Sequence, residues 1–454
     1  MAGEKVLIAN RGEIAVRIIK TCRKMGLKTV AVYSDADRNS PHVKLADESY
    51  HLGPSNPLKS YLNIPKLCEA MEKTRADAVH PGYGFLAENS DFAKAVESLG
   101  LIWVGPPSKV MAGLSSKTYS RKMAREAGIP IIPGSTEPIT YGELKRIASE
   151  LGYPLLLKPD RGGGGKGTKL ITGEEMLTEE IFQSAAREAE YGFGRPELYV
   201  ERLLDRPRHI EVQIIADGDG NVYALGEREC SIQRRYQKII EEAPSPVVSK
   251  EIRQYIYDLA KRYAEKVGYV NAGTVEMLRD SSGKFYFLEM NKRIQVEHPV
   301  TEMTTGLDIV ELQLKVALDR TLPLENDQEP KGHSIECRIY AEDPKTFFPS
   351  PGVITDFAYP AHDHVRLDHA LEPGVTVSPF YDPLIAKAVS YGSERTEAIN
   401  NIIHFLKNLK INGIKTNIPF LIGVMVTPNF QKGDFYTGWI NEVLENGGLP
   451  YMET

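Results

Sequence analysis

The chain has 454 residues, 42% hydrophobic and 26% charged, with a formal net charge of −6. That length predicts two or three domains with cores that need no staples, and the negative balance argues against bulk binding to nucleic acid or an anionic membrane. Four scattered cysteines, Cys22, Cys68, Cys230 and Cys337, form no CxxC pair, which excludes a disulfide scaffold and a cysteine-rich metal site and predicts a reduced, cytoplasmic protein.

MAGEKVLIAN enters a strand at once, with no apolar signal core. GEIAVRIIKTCRKMG sets Ile14, Ile18, Ile19, Cys22 and Met25 on one helical face and stops at Gly26. KTVAVYS reads as a strand, IPKLCEAMEKT as a helix and ADAVHPG as a strand, and DFAKAVESLG with LIWVGPP repeats the step. Such alternation predicts a parallel sheet covered on both faces. The first turn, NRGEIA, holds only Gly12, so a dinucleotide fingerprint is missing, although Asp35 and Asp37 mimic its ribose-binding acid. The region is expected to be scaffold and part of a substrate wall. GPPSKVMAGLSSK breaks the alternation, and GIPIIPGSTEPIT has the prolines and glycines of a linker.

LLLKPDRGGGGKGTKLI, residues 155–171, satisfies G-x-G-x-x-G at Gly162, Gly164 and Gly167. A dinucleotide loop opens into a helix, whereas KGTKLI has strand character, and Asp160 breaks a Walker A pattern. The remaining reading is a strand–loop–strand hairpin whose bare amides fold over phosphates, with Lys158 as a point charge. A mobile solvent loop is the alternative unless other nucleotide-handling pieces follow.

From about 204 the strands HIEVQIIAD, GNVYALGERE, GTVEMLRD and KFYFLEMN grow richer in charge. Glu276 and Glu289 each lie in an apolar strand, where a carboxylate is costly unless paired or metal-bound. Strict alternation predicts Phe285, Phe287, Glu289 and Asn291 on one face. Two carboxylates and an amide oxygen are hard ligands suited to Mg²⁺ on nucleotide phosphates. KRIQVEHPVTE crowds Arg293, Gln295, Glu297 and His298 together; in an extended chain the first three share a side, able to grip an oxyanion while a carboxylate takes a proton. ECSIQRRYQKII adds Gln233, Arg234, Arg235 and Lys238, a cation-rich stretch whose plainer reading is a solvated basic face. Residues from about 333 to 390 read as β-rich, with turns at PSPGV and SPFYDP. RTEAINNIIHFLKNLK and FYTGWINEVLENG predict closing helices, and FLIGVMV between them is too short to span a bilayer.

In this order NRGEIA, HPGYGFLAEN, LLLKPDRGGGGKG, PRHIEVQI, ERECSIQRR, EEAPSP, EMNKRIQVEHPVTE and IECRIYAEDP resemble biotin carboxylase, the ATP-grasp component of biotin-dependent carboxylases, from about residue 4 to 445. The resemblance implies an α/β and α+β fold: a Rossmann-like pre-ATP-grasp domain over 1–115, an ATP-grasp domain over 116–320 with a mobile lid at about 135–203, and a β-rich C-terminal domain over 333–446. It implies that Lys117, Lys158, Gly164, Gly165, Glu201, Arg202, Leu203, Leu204, His209, Gln233, Tyr236, Glu276 and Glu289 line ATP, and that Glu276, Glu289 and Asn291 hold Mg²⁺ or Mn²⁺. Lys238, Arg293, Gln295 and the Val296 backbone would hold bicarbonate, with Glu297 as base. Arg338 would face bicarbonate and biotin, with Tyr83 and Glu88 near biotin. The implied chemistry is formation of carboxyphosphate, its breakdown to CO₂ and phosphate, and carboxylation of biotin N1. Biotin would arrive on a separate biotin carboxyl carrier protein, since MET-flanked biotinyl-lysine sites and a carboxyltransferase region are missing before GLPYMET; a carboxyltransferase subunit would choose the final acceptor. A homodimer is expected.

The chain departs from the family pattern at several places. Tyr236 stands where His is common, Ser115-Ser116 where Gly-Asp is usual, Lys292 where Thr is usual, and Pro159 where a small residue is usual. Lys20, Arg23 and Lys24 leave out an acid that family dimers often place on the first helix. The rival readings are another single-copy ATP-grasp ligase and a silent ATP-binding subunit.

Overall fold

The computed structural model describes residues 4–163 and 165–449. Strands Lys5–Ile8, Lys28–Ser34, Glu48–Gly53, Ala78–His80 and Ile102–Trp103 form a parallel sheet. Lys5–Ile8 is central, with Lys28–Ser34 on one side and Ala78–His80 on the other. Val6, Leu7 and Ile8 are wholly buried, as a strand covered on both faces requires. The helix Gly12–Lys24 buries Ile14, Ile18, Ile19 and Cys22, the face its period predicts. Glu48–Gly53 escapes sequence reading because it is an edge strand with exposed Glu48, Ser49 and His51. Asp37 is structural: Arg11 grips both its oxygens at 2.6 Å and the Tyr61 hydroxyl donates to it at 2.6 Å.

GPPSKVMAGLSSK breaks the strand–helix alternation as expected: it forms the helix Ser108–Gly113, and a second helix, Lys117–Glu126, follows directly, capped by Ser116, which accepts from the Tyr119 amide.

Residues 140–202 build a small unit with its own core. Strands Lys169–Ile171, Leu155–Pro159 and Leu198–Arg202 pair antiparallel in that order, under helices Tyr141–Leu151 and Glu179–Phe193. Leu144, Leu155, Leu157, Ile171, Ala185 and Val200 fill the space between them. The glycine run joins two antiparallel strands, as the hairpin reading expects.

The body is an antiparallel sheet in the order Phe285–Asn291, Asn271–Arg279, Arg208–Ala216, Val222–Arg234, Gln237–Ala243, His333–Tyr340, Leu384–Gly392 and Val365–His369. Gln237–Ala243 hydrogen-bonds to His333–Tyr340, so the C-terminal region extends the same sheet.

One expectation about this sheet is corrected. Glu276 lies opposite Glu289, but the next pair is Met277 with Phe287, so a bulge interrupts Phe285–Asn291. The extra residue flips the alternation. Phe285 and Phe287 enter a core that also holds Met290, Val275 and Met277, while Glu289 and Asn291 fall on the opposite side, across from Glu276 and Thr274. Phe287 is fully buried and stacks near Tyr263 at 4.5 Å between ring centres. Phe287→Ala is expected to destabilise the body by about 3–5 kcal/mol, read as a lower urea midpoint by circular dichroism.

Candidate active site

The small unit presents cations toward the body. Lys158, at the end of its central strand, donates to Glu201 Oε1 at 2.8 Å, and Arg121 binds Glu201 Oε2 at 2.8 Å. Arg121 drew no attention in the sequence, since it looks like one more surface arginine of an amphipathic helix. Lys117, at the start of its helix, is tethered by its amide to the Asp160 carbonyl at 2.8 Å, and its Nζ pairs with Glu289. Arg202, Leu203 and Leu204 form the exit from the small sheet, with the Arg202 guanidinium turned to the Leu151 carbonyl. Gly164 lies outside the described residues. Around it, Gly162 adopts φ +98° with Phe193 ring atoms 2.3 Å from where a Cβ would sit, so only glycine fits.

Tyr236 is placed by a tight turn in which Arg235 and Tyr236 both take positive φ, 52° and 64°. Its ring is 76% exposed and comes within 3.1 Å of a Cβ built on Gly165. The phenol therefore stands against the glycine loop. Arg234 beside it points away and pairs with Glu342 at 2.6 Å and 2.7 Å.

The centre of the site is Lys238. Its ammonium donates to Glu211 at 2.6 Å, Glu276 at 2.8 Å and Glu297 at 2.7 Å. Arg228 binds the other Glu211 oxygen at 2.5 Å. Glu211 is missed by the sequence reading, although HIEVQI carries the signal used for Glu276, an acid inside an apolar strand. Glu297 Oε2 also accepts from Arg338 at 3.0 Å, and Arg338 Nε donates to Glu241 at 2.6 Å. Burial pushes the Glu297 carboxyl up, but Lys238, Arg338 and Arg228 together outweigh it and hold Glu297 below the usual carboxylate range, a charged base at neutral pH. Burial pushes Glu241 up to about 7, with the Glu297 charge adding and Arg338 opposing.

Residues 293–297 turn instead of running extended, yet their side chains converge. Arg293 donates to Gln295 at 2.7 Å, Asn291 at 3.1 Å and Glu88 at 3.1 Å, and Gln295 donates to Glu276 at 3.2 Å. Val296 contributes backbone at the turn into His298–Thr305. His209 Nδ1 meets Gln233 at 3.2 Å. Tyr83 is held apart from these carboxylates by a hydrogen bond to Glu13. Two of the departures from the family pattern touch each other: Lys292 Nζ donates to Ser115 Oγ at 3.2 Å.

The donor set fits a hard divalent cation. Glu276 and Glu289 face each other across two strands, and Asn291 follows Glu289 on the same side of the bulge. Burial pushes Glu289 up, but Lys117 holds it down at about 2, so it is ionised. Glu276 Oε1, Glu289 Oε2 and Asn291 Oδ1 are each met by a cation, the position a metal ion would take over. Glu276 also belongs with His209 and Glu211 to a buried triad whose ligand atoms lie within 4.8 Å of one another.

Family models match three stretches: "Biotin carboxylase, N-terminal domain" at 2–111, "Carbamoyl-phosphate synthase L chain, ATP binding domain" at 116–325, and "Biotin carboxylase C-terminal domain" at 336–442. Biotin carboxylase 2 of Bacillus subtilis is 48% identical over 97% of this chain and 99% of its own length. Among solved structures, a Campylobacter jejuni biotin carboxylase β-γ-ATP complex superposes with a TM-score of 0.94 at 42% identity, covering 97% of this chain and 98% of that one. The biotin carboxylase domain dimer of Hydrogenobacter thermophilus 2-oxoglutarate carboxylase, with MgADP, ADP and bicarbonate, gives 0.93 at 44% identity over 97% of both chains.

The raised Glu241 pKa predicts a pH effect on stability. A folded value of about 7, above the ordinary 4.5, means that its contribution is fully present below 4.5 and is lost as pH rises through about 7. Glu241→Gln should therefore flatten the fall of melting temperature between those two pH values, measured by differential scanning calorimetry against the parent.

Proposed function

Because the chain belongs to the biotin carboxylase family of ATP-dependent ligases, we propose how its own residues carry out the carboxylation of biotin N1 with ATP and bicarbonate. The observation that carries the reading is the Glu297 carboxylate held between Lys238 and Arg338, charged, buried and beside the Arg293–Gln295 pair. Glu297 takes the bicarbonate proton. The freed oxygen attacks the γ-phosphorus of ATP, ADP leaves, and carboxyphosphate forms. Lys238, Arg293 and Gln295 orient the oxyanion, while Lys117 and Lys158 offset phosphate charge. Mg²⁺, when bound by Glu276, Glu289 and Asn291, supplies charge neutralisation at the phosphates. Carboxyphosphate then breaks to CO₂ and phosphate, the phosphate takes the biotin N1 proton, and N1 attacks CO₂. Arg338 steadies the enolate oxygen, with Tyr83 and Glu88 walling the biotin side.

The division at 1–115, 116–320 and 333–446 is part of the proposal. The separate core of the small unit supports a lid over about 135–203 that keeps water from carboxyphosphate. Gly165 and Tyr236 would close on the phosphates. The near full-length match to a relative named biotin carboxylase supports a carrier protein and a carboxyltransferase supplied as other polypeptides. The dimeric relative supports a homodimer. Four unpaired cysteines, three of them buried, suit a reducing cytoplasm.

Phosphate release from Mg-ATP should require bicarbonate and rise with free biotin. Release indifferent to biotin would favour a different ATP-grasp ligase, and ATP binding without release a silent subunit. Glu297→Gln should lower bicarbonate-dependent ATP cleavage by about 10²-fold or more with ATP affinity nearly unchanged by calorimetry. Arg338→Gln should harm biotin carboxylation more than ATP cleavage without biotin. Tyr236→His should change the KM for ATP while kcat stays within about 3-fold, since the Tyr236 ring stands against the glycine loop at Gly165.

A further inference from the structure

Lys387 takes no part in the chemistry above, yet it is a wholly buried lysine next to it. It lies on Leu384–Gly392 directly across from Arg338. A buried ammonium is tolerated only where its protons find partners. Lys387 Nζ donates to the Val296 carbonyl at 2.8 Å and lies 3.2 Å from Glu13 Oε1. The same Glu13 oxygen accepts from the Tyr83 hydroxyl. The ammonium also sits 5.7 Å from the centre of the Tyr83 ring. Of its other acidic neighbours, Asp368 has both oxygens taken by Arg366 at 2.8 Å and 2.6 Å, and Glu336, on the adjacent strand, is buried with neither oxygen hydrogen-bonded. Glu13 Oε2 is buried with no hydrogen-bond partner, so the carboxylate is held by Lys387 and Tyr83 through one oxygen.

The sheet topology explains why these groups meet. Glu13 follows the central strand Lys5–Ile8, and Tyr83 follows its neighbour Ala78–His80. The connections after those two strands diverge to opposite sides, opening a crevice at their carboxyl ends. Lys387 closes the crevice from the C-terminal region, and the Val296 carbonyl belongs to the peptide that leads into Glu297.

We infer that Lys387 and Glu13 are positioning residues, which tie the Val296–Glu297 peptide on the bicarbonate side to the Tyr83 hydroxyl on the biotin side. The inference rests on the roles proposed above for Tyr83, Val296 and Glu297. With the Val296 carbonyl pinned, the peptide cannot rotate and Glu297 keeps its aim. With Glu13 pinned, the Tyr83 ring keeps its distance from that base. A shift of about 1 Å in such a pair costs on the order of 10²-fold in rate. Lys117 and Lys158 share none of these contacts, and among the described residues Lys238 alone links Glu297 to Glu276, so the bicarbonate and biotin steps should feel the change more than ATP binding.

The test uses the full-length protein, with bicarbonate-dependent ATP cleavage measured with and without free biotin, and with thermal melting as a control. Glu13→Gln keeps the size of the side chain and removes its charge. It should raise the KM for bicarbonate or cut the biotin-stimulated rate by about 10-fold or more, while the KM for ATP stays within about 3-fold. Lys387→Met should do the same, Lys387→Arg should restore part of the loss, and the Glu13→Gln/Lys387→Met double variant should lose no more than the worse single one, as for two parts of one unit. If Lys387→Met does not fold, Glu13→Gln decides alone. Variants that melt lower yet keep the bicarbonate KM and the ratio of stimulated to unstimulated rate would overturn the inference and leave a packing role. A parent protein without biotin stimulation would instead overturn the functional reading on which it rests.

Discussion

The ammonium of Lys238 is the constraint on which the rest of the site depends. Glu211, Glu276 and Glu297 are all nearly or fully buried, where carboxylates need a cation close by. One shared ammonium within 2.8 Å of all three supplies it, and with neighbouring arginines it holds Glu211 and Glu297 below the usual carboxylate range. Arg228 and Arg338 then complete the balance on Glu211 and Glu297. This arrangement brings together the residues of the two proposed tasks that need negative charge, the cation site at Glu276 and the base Glu297. It also explains why Gln295, an uncharged donor, stands between them.

The sheet makes that convergence geometrically cheap. Glu211, Glu276, Lys238 and Arg338 come from four strands of one continuous antiparallel sheet, Arg208–Ala216, Asn271–Arg279, Gln237–Ala243 and His333–Tyr340. A bulge in Phe285–Asn291 lets the same short strand fill the core with Phe285 and Phe287 and present Glu289 and Asn291 to the site. The C-terminal region therefore contributes to the site through the sheet itself, with Arg338 on one strand and Lys387 on the next.

The small unit obeys a different economy. Its glycine loop needs bare backbone, seen at Gly162 where Phe193 leaves no room for a Cβ. Its Lys158 is paired internally with Glu201, while Lys117, on the preceding helix, reaches Glu289 of the body sheet. Tyr236 and the Lys292–Ser115 contact depart from the family pattern the sequence resembles; Tyr236 stands against the glycine loop, and Lys292 also donates its amide to Glu88 at 3.0 Å.

Residue type and short-range order determined a good deal here. The alternation of strands and helices in the first hundred residues, the hairpin character of LLLKPDRGGGGKGTKLI, and the acids of AGTVEML and FYFLEMN were legible because each is a local pattern of apolar and charged positions. Motif runs such as EMNKRIQVEHPVTE carried the family and the kind of chemistry for the same reason. What only the tertiary structure decided lies in long-range pairing. Lys238 meets partners 27, 38 and 59 positions away, and Lys387 meets Val296 across 91. Arg121 and Lys387 look locally like ordinary helix and strand residues, and their partners, like those of Glu211, are set by how distant elements pack. The bulge is the sharpest case: one inserted residue put Phe287 and Glu289, expected on one face, on opposite faces. A period of two encodes which side is apolar only until the register slips, and the slip is set by packing against the neighbouring strand.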